Sequence, residues 1–395
     1  MWQLFFVCIF MPCRKKASAA EFKTIRFFGG FGIKKIVIVF AAILISGLTL
    51  FGAGCSVYSL YPGRKAFIGI SMPNNTAQRW VRDGENIANK LKSAGYATKL
   101  VYAGNDSALQ AKQLDDMIDA GAKCLVITPV DSEPLKKSLN KARKAGVKIV
   151  SYDRLIMNTD AVNCYVTFDS VITGKMIGQY VESHLGLDKG KGPYNIEFLA
   201  GAPDDNNASN MHEGILSVLS KYIGTKQLQI PSGHVSFDDT SIARWNSDLA
   251  GERMAAIMDK SYSNGVHIDA VVSEFDQYSY KVTDVLQKNG YKPKERWPLI
   301  TGLDGETDAA RAILKGTQSM TVFKDTRVLS DSCVEVVNTL MNDGKINRLA
   351  GGRSFSTGIM AVPAVLTIPV VVDTTNLRDE MIESGYYQPE EIGIE

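Results

Sequence analysis

The stretch "KAFIGISMPNNTAQRWVRDGENIANKLKSAGYATKLVYA", Lys65 to Ala103, sets the pattern that the rest of the chain repeats. It opens on a short apolar run, "KAFIGIS", continues through a segment in which Trp80, Ile87 and Leu91 recur at helical spacing, stops at a glycine and enters a second run, "TKLVYA". Short apolar runs rich in β-branched residues read as strands, and apolar residues four and seven apart read as one face of a helix. Two parallel strands need such a crossover between them, so the stretch reads as one strand-helix-strand unit.

Working outward, the same alternation continues. The runs "KCLVIT" and "KIVSYD" come next, then "YNIEFLA", "LQIPSG", "AVVSEF", "LITGLD" and "SMTVFKD", with amphipathic segments between them. Strands this apolar are covered on both faces, which implies α/β architecture with parallel sheets wrapped by helices, and their number calls for two sheets. The first group ends near "YVTFD", Tyr165 to Asp169, and the second begins after "GKGPYN". No Pro/Ser-rich linker divides them, so ordered crossovers join the two halves. The tail "AVPAVLTIPVVVDTTNL" has strand composition broken by Pro363 and Pro369, the mark of an edge or crossover segment.

A chain of 395 residues has room for two domains with cores of their own. Its net charge of +2 is set by the N-terminus: beyond residue 54 there remain 37 basic and 41 acidic residues, which gives no electrostatic footing for nucleic acid. The uncharged run from Ile36 to Gly54 comes after two lysines and ends at "GAGC", the order of an export signal, with an uncleaved membrane anchor as the alternative. Cys55 then stands where a bacterial lipoprotein receives its lipid. Cys124, Cys164 and Cys333 lie in strand or helix patterns and read as buried free thiols, a Cys124–Cys164 bond being the other option in an oxidising compartment.

In open parallel sheets ligands lie at the carboxyl ends of the strands. The residues just after each run are Arg79 and Trp80, Asp153 and Arg154, the stretch "GAPDDNNASN" from Gly201 to Asn210, Arg244 with Trp245, Asp276, Asp304 and Lys324. Arg79, Arg154, Arg244 and Lys324 face Asp153, Asp276 and Asp304, with Asp204 or Asp205 as a fourth. Gathered in one cleft they nearly cancel, which disfavours a phosphate or dicarboxylate and suits a neutral polyhydroxylated ligand whose hydroxyls both donate and accept. An indole suits the flat C–H face of a pyranose. Each residue also has an ordinary structural reading: Trp80 as core, Arg244 with Asp248 as a surface helix pair, Asp153 and Arg154 as turn caps, Lys324 as a solvated strand end.

Signals of catalysis or of a metal are missing. There is no phosphate loop, no G-x-S-x-G elbow, no H-E-x-x-H and no paired C-x-x-C, and the four histidines are scattered. "DDNN" lacks the alternating oxygens, turn glycine and distant glutamate of a calcium loop. An Asp or Asn there caps the next helix, near Ala208, while Asn206 and Asn207 are free to grip a ligand hydroxyl. Neither a catalytic residue, a metal nor a cofactor is expected.

The motifs "RW", "YDRL", "PDDNNA", "ARW", "GLDGE" and "FKDTR" together resemble, in order and spacing, the periplasmic sugar-binding receptors of ABC importers, in particular the multiple sugar-binding and xylose-binding branch. The resemblance runs from about Lys65 to Tyr387. It implies the type I periplasmic binding protein fold, two Rossmann-like lobes joined by a hinge of three crossovers, with an aldopyranose such as glucose, galactose, xylose or arabinose bound between them. It implies as ligand contacts Arg79, Trp80, Asp153 and Arg154 of the first lobe, and Asn206, Asn207, Arg244, Asp276, Asp304 and Lys324 on the second lobe and hinge side. Leu303, where a glutamine is common, and the less basic loop "SMPNN" depart from the family pattern. The expected organisation is an export segment over 1–54, a first lobe of 65–169 with 305–324, and a second of 170–304 with 325–390. Implied partners are a monosaccharide, an ABC permease, and a chemoreceptor or sensor kinase, at the outer face of the cytoplasmic membrane or in the periplasm; nucleic acid is not among them. A ligand-sensing regulator of the same fold and a sugar-modifying enzyme are the competing readings.

Overall fold

The computed structural model describes residues 66–263 and 265–394, so the export segment and Cys55 lie outside the described residues. The opening stretch does form the expected unit: β1 (Phe67–Met72), α1 (Gln78–Ser93) and β2 (Ala97–Tyr102). Then come α2 (Ser107–Asp119), β3 (Cys124–Ile127), α3 (Ser132–Lys144), β4 (Lys148–Tyr152) and β5 (Cys164–Phe168). β1 pairs in parallel with β2 and β3, β3 with β4, and β4 with β5. Every residue of β1, β3 and β5 is buried, because helices cover both faces of the sheet.

The chain next builds α4 (Ser170–Leu185), β6 (Tyr194–Leu199), α5 (Asn206–Gly224), β7 (Leu228–Gln229), α6 (Ser247–Ser261), β8 (Ala270–Ser273), α7 (Asp276–Lys288), β9 (Leu299–Ile300), β10 (Leu303–Asp304), α8 (Thr307–Lys315) and β11 (Thr321–Phe323). β6 lies between β7 and β8, and β8 pairs with β9, all in parallel. Ser319 donates its amide to the Ile300 carbonyl at 2.8 Å and Val322 donates to Gly302 at 3.0 Å. These bonds carry the sheet across the β9–β10 break to β11.

The last part, α9 (Thr326–Met341), β12 (Ser354–Ser356), β13 (Ala361–Thr367) and β14 (Val370–Val372), corrects the expected lobes. α8 and β11 bury Ala310, Ile313 and Phe323 with Val372, Leu377 and Met381, in the second lobe and not the first. α9 buries Leu329, Cys333, Val336 and Val337 with residues of β1, β3, β4 and β5, and β13 joins β5 in parallel. The first lobe is thus 66–168 with 326–367, and the second 170–323 with 370–394. An apolar helical stripe fits either core, and only the β13–β5 ladder decides between them. β13 is also not an edge strand, since β12 flanks it in the order β12-β13-β5-β4-β3-β1-β2. Pro363 is tolerated because the ladder to β5 begins one residue later, at Ala364, and Pro369 falls in the crossover.

Cys124, Cys164 and Cys333 are free thiols in the core of the first lobe, as their apolar settings suggest. In the second lobe α4 and α5 approach so closely that a Cβ on Gly174 would lie 1.9 Å from the Met211 carbonyl oxygen, and one on Gly214 2.3 Å from that of Val171. This contact fixes α5, whose N-cap and first turn hold the last three residues of the "DDNN" stretch. Gly174→Ala is expected to cost about 1–3 kcal/mol through overpacking. Gly224→Ala, at an exposed helical position with open space around it, should instead add about 0.4–1 kcal/mol. Denaturant midpoints of the two variants check the contrast.

Candidate functional site

Arg79 stands on the first turn of α1 with 8% of its surface exposed. Its guanidinium donates to the Asp153 carboxylate and, from Nη1, to Asp304 Oδ1 at 3.1 Å. Asp153 ends β4 and Asp304 ends β10, so the pair of contacts joins the two lobes. Both aspartates hold left-handed backbone, with φ of 61° and 96°. Such a conformation costs of order 1–3 kcal/mol and needs support from its surroundings. At Asp153 that support is visible: its carbonyl accepts from the Tyr165 hydroxyl at 2.8 Å, the Thr167 hydroxyl at 2.8 Å and Asn207 Nδ2 at 2.6 Å.

Lys324 Nζ lies 3.2 Å from Asp304 Oδ1. Burial would push the Asp304 carboxyl up, but the charges of Arg79 and Lys324 hold it below the usual range. The same balance raises Arg79: burial works against the cation, and Asp153, Asp304 and Asp83 overcome it. Behind Arg79, Asp83 faces its Nε at 3.5 Å and accepts from the Tyr152 hydroxyl. Burial pushes Asp83 up to about 7, against the pull of Arg79.

A second link between the lobes runs through Asp205. It caps α5 by accepting from the Asn207 amide at 2.9 Å, accepts from Trp245 Nε1 at 3.1 Å, and faces Arg154 Nε at 3.6 Å. Burial raises its pKa against the pull of Arg154. α5 begins at Asn206, two residues earlier than expected. Of the two aspartates offered as a fourth carboxylate, Asp205 is the one that faces Arg154, and its distance from "ARW" in sequence hid the bond to Trp245. Around the cleft Arg79, Arg154 and Lys324 therefore meet Asp153, Asp205 and Asp304, three cations against three carboxylates, with Asp83, its carboxyl pushed up by burial, behind them.

Of the residues named from sequence, the structure brings Arg79, Trp80, Asp153, Arg154, Asn207, Asp304 and Lys324 into one connected group. Trp80 is 7% exposed and packs in the core, with the guanidinium carbons of Arg79 and Arg154 4.7 and 5.5 Å from its ring centre. Its visible work is to seat those two arginines. Asn207 spends its amide on protein groups: Oδ1 accepts from the Ser170 hydroxyl at 3.0 Å and shares the Tyr165 hydroxyl, 2.9 Å away, with the Asp153 carbonyl, and Nδ2 reaches Asp153. Asn206, next to it and half-buried, makes no side-chain hydrogen bond among the described residues.

Two of the named residues stand outside that group. Asp276 is fully buried, and its carboxylate accepts from the amides of Gly305 and Glu306, the Gln318 amide and the Thr321 hydroxyl at 2.8–3.1 Å. Four bonds fill a carboxylate, so Asp276 braces the turn that carries Asp304 and has nothing left for a ligand. Arg244 is exposed, at φ 59°, and Asp248, its suggested helix partner, pairs with Lys281 instead. Among the described residues no cluster could hold a metal ion, and no helix is long and apolar enough to cross a membrane.

A family model for the periplasmic binding protein domain matches residues 68–346. The chain belongs to the periplasmic binding protein family. Its fold is type I, and the family and these relatives are binding proteins, not enzymes. The chain is 37% identical to the multiple sugar-binding periplasmic receptor ChvE of Rhizobium radiobacter, over 89% of this chain and 99% of that one. It is 29% identical to a D-xylose-binding periplasmic protein of Haemophilus influenzae, over 87% of this chain and 97% of that one. A solved structure of an ABC transporter solute-binding protein from Clostridium phytofermentans, with bound β-D-glucose, superposes with a TM-score of 0.77 at 38% identity, covering 82% of this chain and 99% of that one.

The loop that starts "GAPDDNN" is held from below by a buried pair. His212 Nδ1 lies 2.9 Å from Glu274 Oε1, its Nε2 lies 2.8 Å from the Val235 carbonyl, and Glu274 Oε2 accepts from the Gly201 amide at 3.2 Å. Two acceptors facing both ring nitrogens call for the imidazolium. Burial alone would lower the His212 pKa, and Glu274 with the Val235 carbonyl overcomes this and raises it. A raised folded pKa gives stability that is complete below the ordinary imidazole range and is lost as pH rises through the folded value. As pH rises above about 6.5 the melting temperature is expected to fall more steeply than in His212→Gln, and equal slopes would mean that the ring is neutral over that range.

Proposed function

We propose that the protein is an extracytoplasmic receptor that binds a monosaccharide, an aldopyranose, in the cleft between its lobes and delivers it to an ABC transporter. The observation that carries the reading is the charge-balanced group at the strand ends. Arg79, Arg154 and Lys324 are each matched by a carboxylate, so a phosphate or uronate finds no surplus positive charge there. A sugar hydroxyl can donate to one member of such a pair and accept from the other. The relative with bound β-D-glucose and the receptors named for sugars support the same class of ligand.

Asn206 is the second-lobe side chain with an unspent amide next to this group, and it serves as a donor and acceptor for the ligand. Closure of the lobes results from contacts drawn from both sides, and the permease, like any chemoreceptor or sensor kinase that reads the protein, would recognise that closed form. Glucose, galactose or xylose at a hundred times its dissociation constant should add about 2.7 kcal/mol and raise the melting temperature, while glucose 6-phosphate should not. Asn206→Ala should weaken the sugar by about five- to a hundredfold in calorimetry with little change in the ligand-free melting temperature. A flat response to a panel of aldoses would sink the reading.

Cys55 we assign as the lipidated first residue of the mature chain, on the strength of the apolar run ending in "GAGC". Cys55→Ser is expected to lose fatty-acid labelling and to leave the chain unprocessed or released. Unchanged labelling and size would rule lipidation out.

A further inference from the structure

The C-terminal segment from Ser384 to Glu391 belongs by its packing to the second lobe, where Tyr386, Tyr387 and the nearby Ile392 are buried with Ile313, Phe323 and Met381. Its polar contacts reach the first lobe. Arg82, one turn after Arg79 on α1, donates from Nη1 to the Tyr386 carbonyl at 3.1 Å and from Nη2 to Glu391 Oε1 at 3.0 Å. The same guanidinium lies 4.5 Å from the Tyr387 ring centre and 5.1 Å from that of Tyr386. On α9, Arg327 donates to the Ser384 carbonyl at 2.8 Å and lies 5.0 Å from the Tyr386 ring centre. Thr326 and Tyr386 bring their hydroxyls to 3.2 Å.

The segment also reaches the cleft from behind. Tyr387 donates its hydroxyl to the Gly305 carbonyl at 2.9 Å, and Gly305 is the residue after Asp304. One short stretch of chain thus grips both the helix that carries Arg79 and the turn that carries Asp304. Contacts that span the lobes outside the ligand site bias the balance of open and closed forms by their own free energy, and the apparent dissociation constant rises as the competent fraction falls.

We propose that Arg82 and Tyr387 are positioning residues for ligand binding: the C-terminal segment holds the Arg79 helix and the Asp304 turn in the closed arrangement without touching the ligand. The effect on affinity rests on the sugar-receptor reading, whereas the effect on lobe closure does not. Arg82 is suited to this because a planar fork can lie on tyrosine rings and donate in two directions at once, which an ammonium cannot do.

The test uses the intact chain with Arg82→Gln, Arg82→Lys, Thr326→Val and Tyr387→Phe. Small-angle scattering of the ligand-free proteins, calorimetry with glucose and thermal melting are read together. Arg82→Gln and Thr326→Val are expected to enlarge the ligand-free radius of gyration and to weaken glucose by about two- to tenfold, and Arg82→Lys should fail to restore either. Tyr387→Phe, whose lost bond to Gly305 lies within the second lobe, should weaken glucose with the radius of gyration unchanged. Thr326→Val, which removes the hydroxyl facing Tyr386 from the first lobe, decides the matter if the arginine variants do not fold. A lowered melting temperature with unchanged scattering and unchanged affinity overturns the proposal and leaves the segment a structural element only. If no aldose binds even the parent chain, the receptor reading fails by itself, and the ligand-free scattering still upholds or overturns the role in closure.

Discussion

The organising constraint is a guanidinium kept out of water. Arg79 could not be buried beside a hydrophobic sheet without carboxylates to match it, since breaking a buried pair by removing one partner costs about 3–5 kcal/mol. The match comes from three places: Asp83 on its own helix, Asp153 at the end of β4 and Asp304 at the end of β10. Supplying them forces left-handed backbone at two strand ends, and that backbone must be held by further groups. Asn207, Tyr165 and Thr167 hold the Asp153 turn, and Asp276 holds the Asp304 turn. Much of the polar interior thus derives from one cation.

This chain of support explains why α5 starts where it does. Its first turn places Asp205 toward Trp245 and Arg154, and Asn207 toward the Asp153 carbonyl. Moving the helix by a single residue would turn those side chains by about 100° and break both links. The glycine contact between α4 and α5 and the His212–Glu274 pair beneath Gly201 fix its height and direction. A catalytic pair would need a carboxylate left free to exchange a proton with a substrate, whereas most carboxylates here already accept from protein donors. The arrangement is built to hold polar groups still.

How much was legible in the sequence depended on whether a signal was local. The strands and the residues at their ends could be read directly, because an apolar run and its next few neighbours are adjacent in the chain, and the charge balance came with them. The partner of each charge could not be read. Asp276 and Asp304 look alike as aspartates after apolar runs, but one faces four donors of its own lobe and the other faces Arg79 across the cleft. Trp80 recurs at the spacing of a core residue and is one, so its place beside Arg79 said less about a ligand than it suggested. Asp205 announced its cap, which is local, and hid its bond to Trp245, forty residues away. The exchange of α8 and α9 between lobes arose for the same reason, since nothing in an amphipathic stripe records which of two equivalent cores it enters.

That exchange has a bearing on how the molecule comes into being. The first lobe takes its opening strands from the beginning of the described chain, but β13 beside β5 and α9 across the sheet come only after the whole of β6 to β11 has been made. A chain that emerges from its N-terminus therefore holds an unfinished sheet with one long edge unpaired while the second lobe is still being synthesised. Such an edge is open to pairing with other chains until β13 arrives. The part of the protein that comes first in the chain is completed only near its end.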